Sequence, residues 1–274
     1  MKIVRSIASL RKIIDDIKAH NHTVGFVPTM GALHDGHISL IQKSISENRI
    51  TICSIYVNPK QFNDKEDLKN YPRQEKRDIS ILSSHKCDVL FLPIDNEMYP
   101  ESNQQNNYNI TNVVNILEGK KRPGHFIGVL TIIHKLFNVI QPDSAYFGEK
   151  DYQQLWIIRF FAKKSQIPVC IKEGVIIRDS NGLALSSRNQ KLNDQEKKTS
   201  INLFKSMIAF KEMIQEHLEK NKKTVMNKEE IKFFKNVVVN KFLKEHIIKL
   251  DYFDVIEVES FSFAKEIRYN QNYR

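Results

Sequence analysis

Apolar positions recur at helical spacing in the first twenty residues, where Leu10, Ile13, Ile14 and Ile17 share one face, and this predicts a surface helix. The apolar run 24–27 predicts a strand that halts at Pro28. A loop with Gly31, His34, Gly36 and His37 follows, and Ile38, Ile41 and Ile45 mark a second amphipathic helix. Residues 50–57 are almost continuously apolar, as expected of a strand covered on both faces of a parallel sheet. That run ends at Asn58-Pro59. The pattern then predicts a helix over 75–85, a strand over 88–92, a polar loop over 101–112 and a buried helix over 126–140. A strand over 145–147 runs into Gly148, and a further helix starts near Lys150. Residues 169–171 and 175–177 give one more strand, or two short ones around Gly174.

Strand and helix thus alternate about five times, which predicts an α/β fold with a doubly wound, Rossmann-like parallel sheet. Beyond Arg178 the pattern changes. Two long helices rich in Lys and Glu, over 194–218 and 228–246, and a strand-like run over 250–258 predict a smaller C-terminal α+β domain. The expected division is 1–176 and 177–274, with the join near 176–179.

Composition narrows this picture only slightly. Of 274 residues, 41% are hydrophobic and 27% charged, ordinary values for a globular chain with a sizeable core. No apolar run reaches the ~18 residues of a membrane span, and the N-terminus lacks the apolar core of a signal peptide, so a cytoplasmic protein is expected. Cys53, Cys87 and Cys170 are far apart and sit in or beside apolar runs. Their spacing fits neither zinc nor a disulfide framework, and buried reduced thiols are expected. A net charge of +10 raises nucleic-acid binding. Its spread argues otherwise, because residues 1–180 carry half the excess and no basic arm stands out. Anionic small-molecule ligands are the simpler reading.

The candidate chemistry lies where strands end. The stretch VGFVPTMGALHDGHISL (24–40) reads as strand, glycine loop and helix start, an arrangement that gathers backbone N–H groups and the positive end of a helix dipole. Phosphates bind at such points, and two histidines three apart can donate to them. Gln61 in YVNPKQF and Gln154 in GEKDYQQ can hold a hydroxyl or a carboxylate without charge. Lys150, two residues past Gly148, can reach a phosphate, and Asp151 can accept from ribose. LALSSRN groups Ser186, Ser187 and Arg188, and RPGHF brings Arg122 and His125. There is no Walker loop, GxGxxG, HExxH or GxSxG, and no ligand set that would complete a metal site around the histidines.

These motifs, PTMGALHDGH, YVNPKQF, YPR, RPGHFIGV, YFGEKDYQQ and LALSSRN, together resemble those of the pantothenate synthetase (pantoate–β-alanine ligase) family, over about residues 2–195. PTMGALHDGH is similar to the His-x-Gly-His element of nucleotidyltransferases. The resemblance implies a cytoplasmic homodimer that condenses pantoate with β-alanine at the expense of ATP, through a pantoyl adenylate, and involves neither nucleic acid nor membrane. It implies catalytic roles for His34, His37, Lys150 and Arg188. ATP would meet Met30, His34, Gly36, His37, Gly148, Lys150, Asp151, Ile177, Ser186, Ser187 and Arg188. Pantoate would meet Pro28, Met30, Gln61, His125 and Gln154, with Arg122 shaping that side. Mg2+ would ride on the ATP phosphates. No protein ligand is assigned to it: the acidic residue often found beside Asp78 is Arg77 here, and Asp78 is the nearest candidate. The last forty residues match poorly, which leaves details of the C-terminal lid open. A related nucleotidyltransferase with another acceptor and a nucleic-acid-binding module remain as alternatives.

Overall fold

The computed structural model describes residues 1–99, 108, 110, 112–242 and 249–268. The chain runs β1 (Lys2–Val4), α1 (Ile7–Ala19), β2 (Val24–Thr29), α2 (Asp35–Glu47), β3 (Ile50–Ile55), α3 (Lys65–Lys69), α4 (Glu75–Ser84), β4 (Val89–Phe91) and α5 (Asp95–Met98). Then come α6 (Glu118–Lys121), α7 (His125–Ile140), β5 (Ser144–Gly148), α8 (Tyr152–Lys164), β6 (Cys170–Gly174), α9 (Asp194–Lys220), β7 (Val225–Asn227), α10 (Lys228–Phe242) and β8 (Glu266–Arg268).

Six parallel strands form one sheet in the order β1-β4-β3-β2-β5-β6. Its register explains the apolar runs. Val27, Cys53 and Leu90 are aligned across neighbouring strands and, with Tyr146, pack on Ile38 and Ile41 of α2 and Leu82 of α4. Phe26, Ile52 and Val89 alternate to the other face, where Phe26 meets Phe137 of α7 edge-on at 6.4 Å. Both faces are covered, so neither needs polar positions.

Successive strands add in one direction from β2 to β3 and in the other after β4, so the order reverses between β2 and β5. Ligands bind beyond the carboxyl ends of strands at such a point. The ladder between β2 and β5 pairs only Gly25 with Ser144 and Phe26 with Ala145. Beyond it Pro28 has no N–H to offer, and the two strands part. β5 itself continues to Gly148 alongside β6.

Most predicted elements form, with instructive differences. β2 runs on through Pro28 to Thr29, kept in register with Ser54 and Ile55 of β3. The second option at 169–177 fails: β6 stops at Gly174, and 175–177 are not a strand. Cys53 and Cys87 are buried, but Cys170 is exposed, because it opens an edge strand. The polar loop predicted over 101–112 and the end of the helix predicted to reach 246 fall mostly outside the described residues. The strand predicted over 250–258 reduces to a single bridge between Ile256 and Phe263. Its apolar residues serve the core instead, Phe253 lying edge-on to Phe210 at 5.2 Å.

The chain forms two compact units. One comprises 1–177 and 184–190; the other comprises 178–183 and 191–274. In the second, Asn193 and Glu196 close a reciprocal cap on α9. Phe210, Ile214 and Leu218 of α9 share a core with Met226, Ile231, Val238 and Ile267, and β7 pairs antiparallel with β8. No helix among the described residues is long and apolar enough to cross a membrane.

Candidate active site

The loop between β2 and α2 is held in a shape that most residues avoid. Gly31 has φ of +80° and Ala32 +49°. Asp78, from α4, fixes this turn: its two carboxylate oxygens accept the N–H groups of Ala32 and Leu33, each at 2.8 Å. Thr29 adds a bond from the other side, its Oγ1 accepting the Gly31 N–H at 3.2 Å. Asp78 is 1% exposed and is not among the residues lining the adjacent pocket. Proposed from sequence as the nearest candidate for magnesium, it instead shapes the loop.

The loop delivers His34 as the N-cap of α2. His34 Nδ1 accepts the Gly36 N–H at 3.1 Å, and His37 Nδ1 accepts the His34 N–H at 3.4 Å. Both δ nitrogens therefore lack a proton, and each neutral ring carries its hydrogen on Nε2. The rings lie 4.1 Å apart. Burial is the main cause that lowers both pKa values; nearby Lys150 adds to it, and His37, which also feels His34, falls to about 3. At neutral pH the pair offers two uncharged N–H donors. Gly36 is needed for this, since a Cβ there would sit 2.9 Å from His34 Cε1.

Facing them, β5 ends at Gly148 and a short 3-10 turn presents Lys150 and Asp151, whose ammonium and carboxylate are 3.3 Å apart. In α8, Gln153 turns inward to bond the Val113 and Ile116 carbonyls, while Gln154 lines the pocket. The segment 184–190 returns to the same unit, tied by the Leu185 N–H to the Ile177 carbonyl at 2.9 Å. Ser187 Oγ donates to the Ala32 carbonyl at 3.0 Å, so its hydroxyl braces the histidine loop. Arg188 is gripped by Asp67, through Nη2 at 2.7 Å and Nε at 3.3 Å, and lies over the Tyr71 ring.

The third wall combines the 3-10 turn Pro59–Gln61 with α7. Gln61, 8% exposed, accepts from Asn58 Nδ2 at 2.9 Å and directs Nε2 to Met30 Sδ at 3.1 Å. His125 Nδ1 is 2.7 Å from the Gln61 carbonyl, which can only accept. His125 thus carries its proton on Nδ1 and, when neutral, shows a lone pair at Nε2, the reverse of His34 and His37. Burial holds its pKa below the ordinary histidine value. Val129, Ile132, Ile133 and Leu136 of α7 complete an apolar side. Gly128 lets α7 come this close, for a Cβ there would be 2.2 Å from the Lys60 carbonyl oxygen.

These walls line one cleft that is open to solvent at its mouth, with polar groups on two sides and an apolar third. Pro28, Met30, His34, Gly36, His37, Gln61, Arg122, His125, Gly148, Lys150, Asp151, Gln154, Ile177, Ser186, Ser187 and Arg188 all line it. The sequence pattern does not single out the α7 side chains, which periodicity marks only as core, or Asn58, which it marks as a strand terminator. Ser54, 1% exposed and also lining the cleft, was hidden inside an apolar run. Asp67 is not singled out either, for lack of any signal linking it to Arg188.

The family model described as pantoate-beta-alanine ligase matches residues 2–272. A pantothenate synthetase of Thermosipho africanus is 40% identical over 267 residues, covering 97% of this chain and 92% of that one. One from Porphyromonas gingivalis is 46% identical over 197 residues, 72% of this chain and 70% of its own. The crystal structure of pantothenate synthetase from Thermus thermophilus superposes with a TM-score of 0.87 at 33% identity, over 100% of this chain and 93% of that one. A Francisella tularensis pantoate-beta-alanine ligase, solved with beta-gamma ATP and beta-alanine, gives 0.72 at 43% identity over 75% and 78%. The chain therefore belongs to the pantoate–beta-alanine ligase family, and it is an ATP-dependent enzyme joining a carboxylate, pantoate, to an amine, β-alanine.

Proposed function

We propose that the cleft carries out both half-reactions, with the roles divided among its three walls. In the first, a pantoate carboxylate oxygen attacks the α-phosphorus of ATP, and the bond to pyrophosphate breaks. Negative charge builds on the phosphate oxygens, where His34 and His37 donate from Nε2 and Lys150 supplies a full positive charge. Neutral histidines suit this position, since they stabilise the transferring group without giving up a proton to it. Ser186, Ser187 and Arg188 hold the β- and γ-phosphates, Ser187 through its N–H because its hydroxyl is already committed. Gly148, Asp151 and Ile177 receive ribose and adenine.

Gln61 and Gln154 hold the pantoate carboxylate and hydroxyls, beside Pro28 and Met30. The apolar face of α7 takes the methyl groups that flank its quaternary carbon. His125, with a lone pair on Nε2, accepts from a substrate hydroxyl or ammonium. In the second half-reaction the β-alanine nitrogen, as its free amine, attacks the acyl carbon, the bond to the phosphate oxygen breaks, AMP leaves, and the nitrogen releases a proton to solvent. Magnesium fits this site as a passenger on ATP. Among the described residues no three His, Cys, Asp or Glu side chains cluster to hold a metal, and Asp151 is the carboxylate that faces the cleft. When bound, the ion neutralises phosphate oxygens. The reading includes a homodimer, which sedimentation equilibrium tests.

The observation that carries the reading is the pair of proton-fixed histidines facing Lys150 across one cleft with Gln61 and Gln154. It predicts exchange of labelled pyrophosphate into ATP only when pantoate is present, and AMP release once β-alanine is added. Exchange that does not need pantoate would overturn it.

A further inference from the structure

Tyr99 does not line the cleft, yet its hydroxyl donates to Asn58 Oδ1 at 2.8 Å. Asn58 is 1% exposed, and its side-chain amide uses both of its donors and both of its acceptor sites. Its Oδ1 also accepts the Lys60 N–H at 3.3 Å, and its amide donates to the Gly128 carbonyl at 3.1 Å and to Gln61 Oε1 at 2.9 Å. Gly128 oxygen can only accept and the Lys60 nitrogen can only donate, so one orientation of the Asn58 amide satisfies all four. Of these bonds the one from Tyr99 is the shortest. The Gln61 amide is set in turn: Oε1 faces Asn58, and Nε2 is left for Met30 and the cleft.

The Tyr99 ring is itself held. Lys60 Nζ lies 4.1 Å and Lys135 Nζ 5.0 Å from its centroid, and Lys135 also donates to the Met98 carbonyl at 2.7 Å. We propose that Tyr99 is a positioning residue for the carboxylate substrate: with two lysine ammonium groups on its ring, it locks Asn58 and through it turns the Gln61 amide so that an N–H donor faces the cleft. This rests on the reading that Gln61 holds pantoate.

The test is a double-mutant cycle on pantoate-dependent pyrophosphate exchange with the full-length enzyme. Tyr99→Phe keeps the ring and removes the hydroxyl. It should raise the pantoate KM about five- to tenfold and leave the ATP KM unchanged. In a Gln61→Ala background the same change should cost nothing more, since its target is gone. Lys60→Met, a change at an exposed side chain, should shift the pantoate KM the same way by about two- to threefold through loss of one ring contact. A pantoate KM unmoved in both single variants overturns the proposal. So does a Tyr99→Phe effect that persists in full without Gln61, or one that falls equally on ATP. If Gln61→Ala alone leaves the pantoate KM intact, the assignment of Gln61 is what fails.

Discussion

His34 and His37 are held as neutral rings with fixed protons, not as cations. Burial keeps His37 neutral down to about pH 3, whereas in the unfolded chain it titrates near 6.5. Between those values the unfolded chain binds a proton that the folded one refuses, so the contribution to stability is complete above 6.5 and drains away as pH falls toward 3. His37→Gln should therefore lose less melting temperature than the parent between about pH 7 and pH 5, a comparison that scanning calorimetry makes directly. An equal loss in both proteins would refute the assignment. His34→Ala should slow adenylation by about 100-fold or more, the usual cost of removing a donor to developing charge. Stopped-time exchange assays read this, and a near-normal rate would remove His34 from the chemistry. The spacing of these histidines was legible in the sequence, because three residues at a helix start place two rings together. Which nitrogen holds the proton was not, since that depends on the N–H groups of His34 and Gly36. The same holds for Ser187, whose hydroxyl reads as a phosphate donor and is occupied by a loop carbonyl.

At the scale of elements, the cleft depends on contacts that bring distant segments together. Asp78 in α4 shapes a loop more than forty residues before it. Asp78→Ala leaves two buried N–H groups without an acceptor, at a cost of about 2–5 kcal/mol. Pyrophosphate exchange should fall with the melting temperature, although Asp78 does not line the cleft; unimpaired exchange would show that the loop keeps its shape unaided. Gly128→Ala should force α7 away from the Lys60–Gln61 turn, costing about 1–3 kcal/mol and weakening pantoate more than ATP. Measuring both KM values separates this local shift from general loosening, which would affect the two alike. The helices themselves were readable because their periodicity is local. The pairing of Asp78 with Ala32 and the close approach at Gly128 were not, because no pattern within one segment encodes a partner in another.

For the whole molecule, alternation of apolar runs and amphipathic stretches was enough to give the doubly wound sheet and the change of architecture after residue 178. Two departures from that pattern have physical causes. Three residues of β1 are too few to show a period, and the apolar positions of 250–258 pack as irregular chain around Phe253. The net charge of +10 is also a property of the whole. It favours approach of anions without placing any one of them. The ATP KM should accordingly rise severalfold between about 0.02 and 0.3 M salt, whereas a KM indifferent to salt would confine the electrostatics to the cleft.

The exposed position of Cys170 has a practical consequence. Cys53 and Cys87 are buried and desolvation raises both pKa values, so their thiols stay protonated and out of reach. A maleimide dye added to the native enzyme should couple once per chain. Cys170 opens β6, whereas the cleft lies past the far ends of the strands, about 13–16 Å along the chain direction. The fold thus comes with a built-in attachment point for a fluorophore at the ends of the strands opposite the cleft.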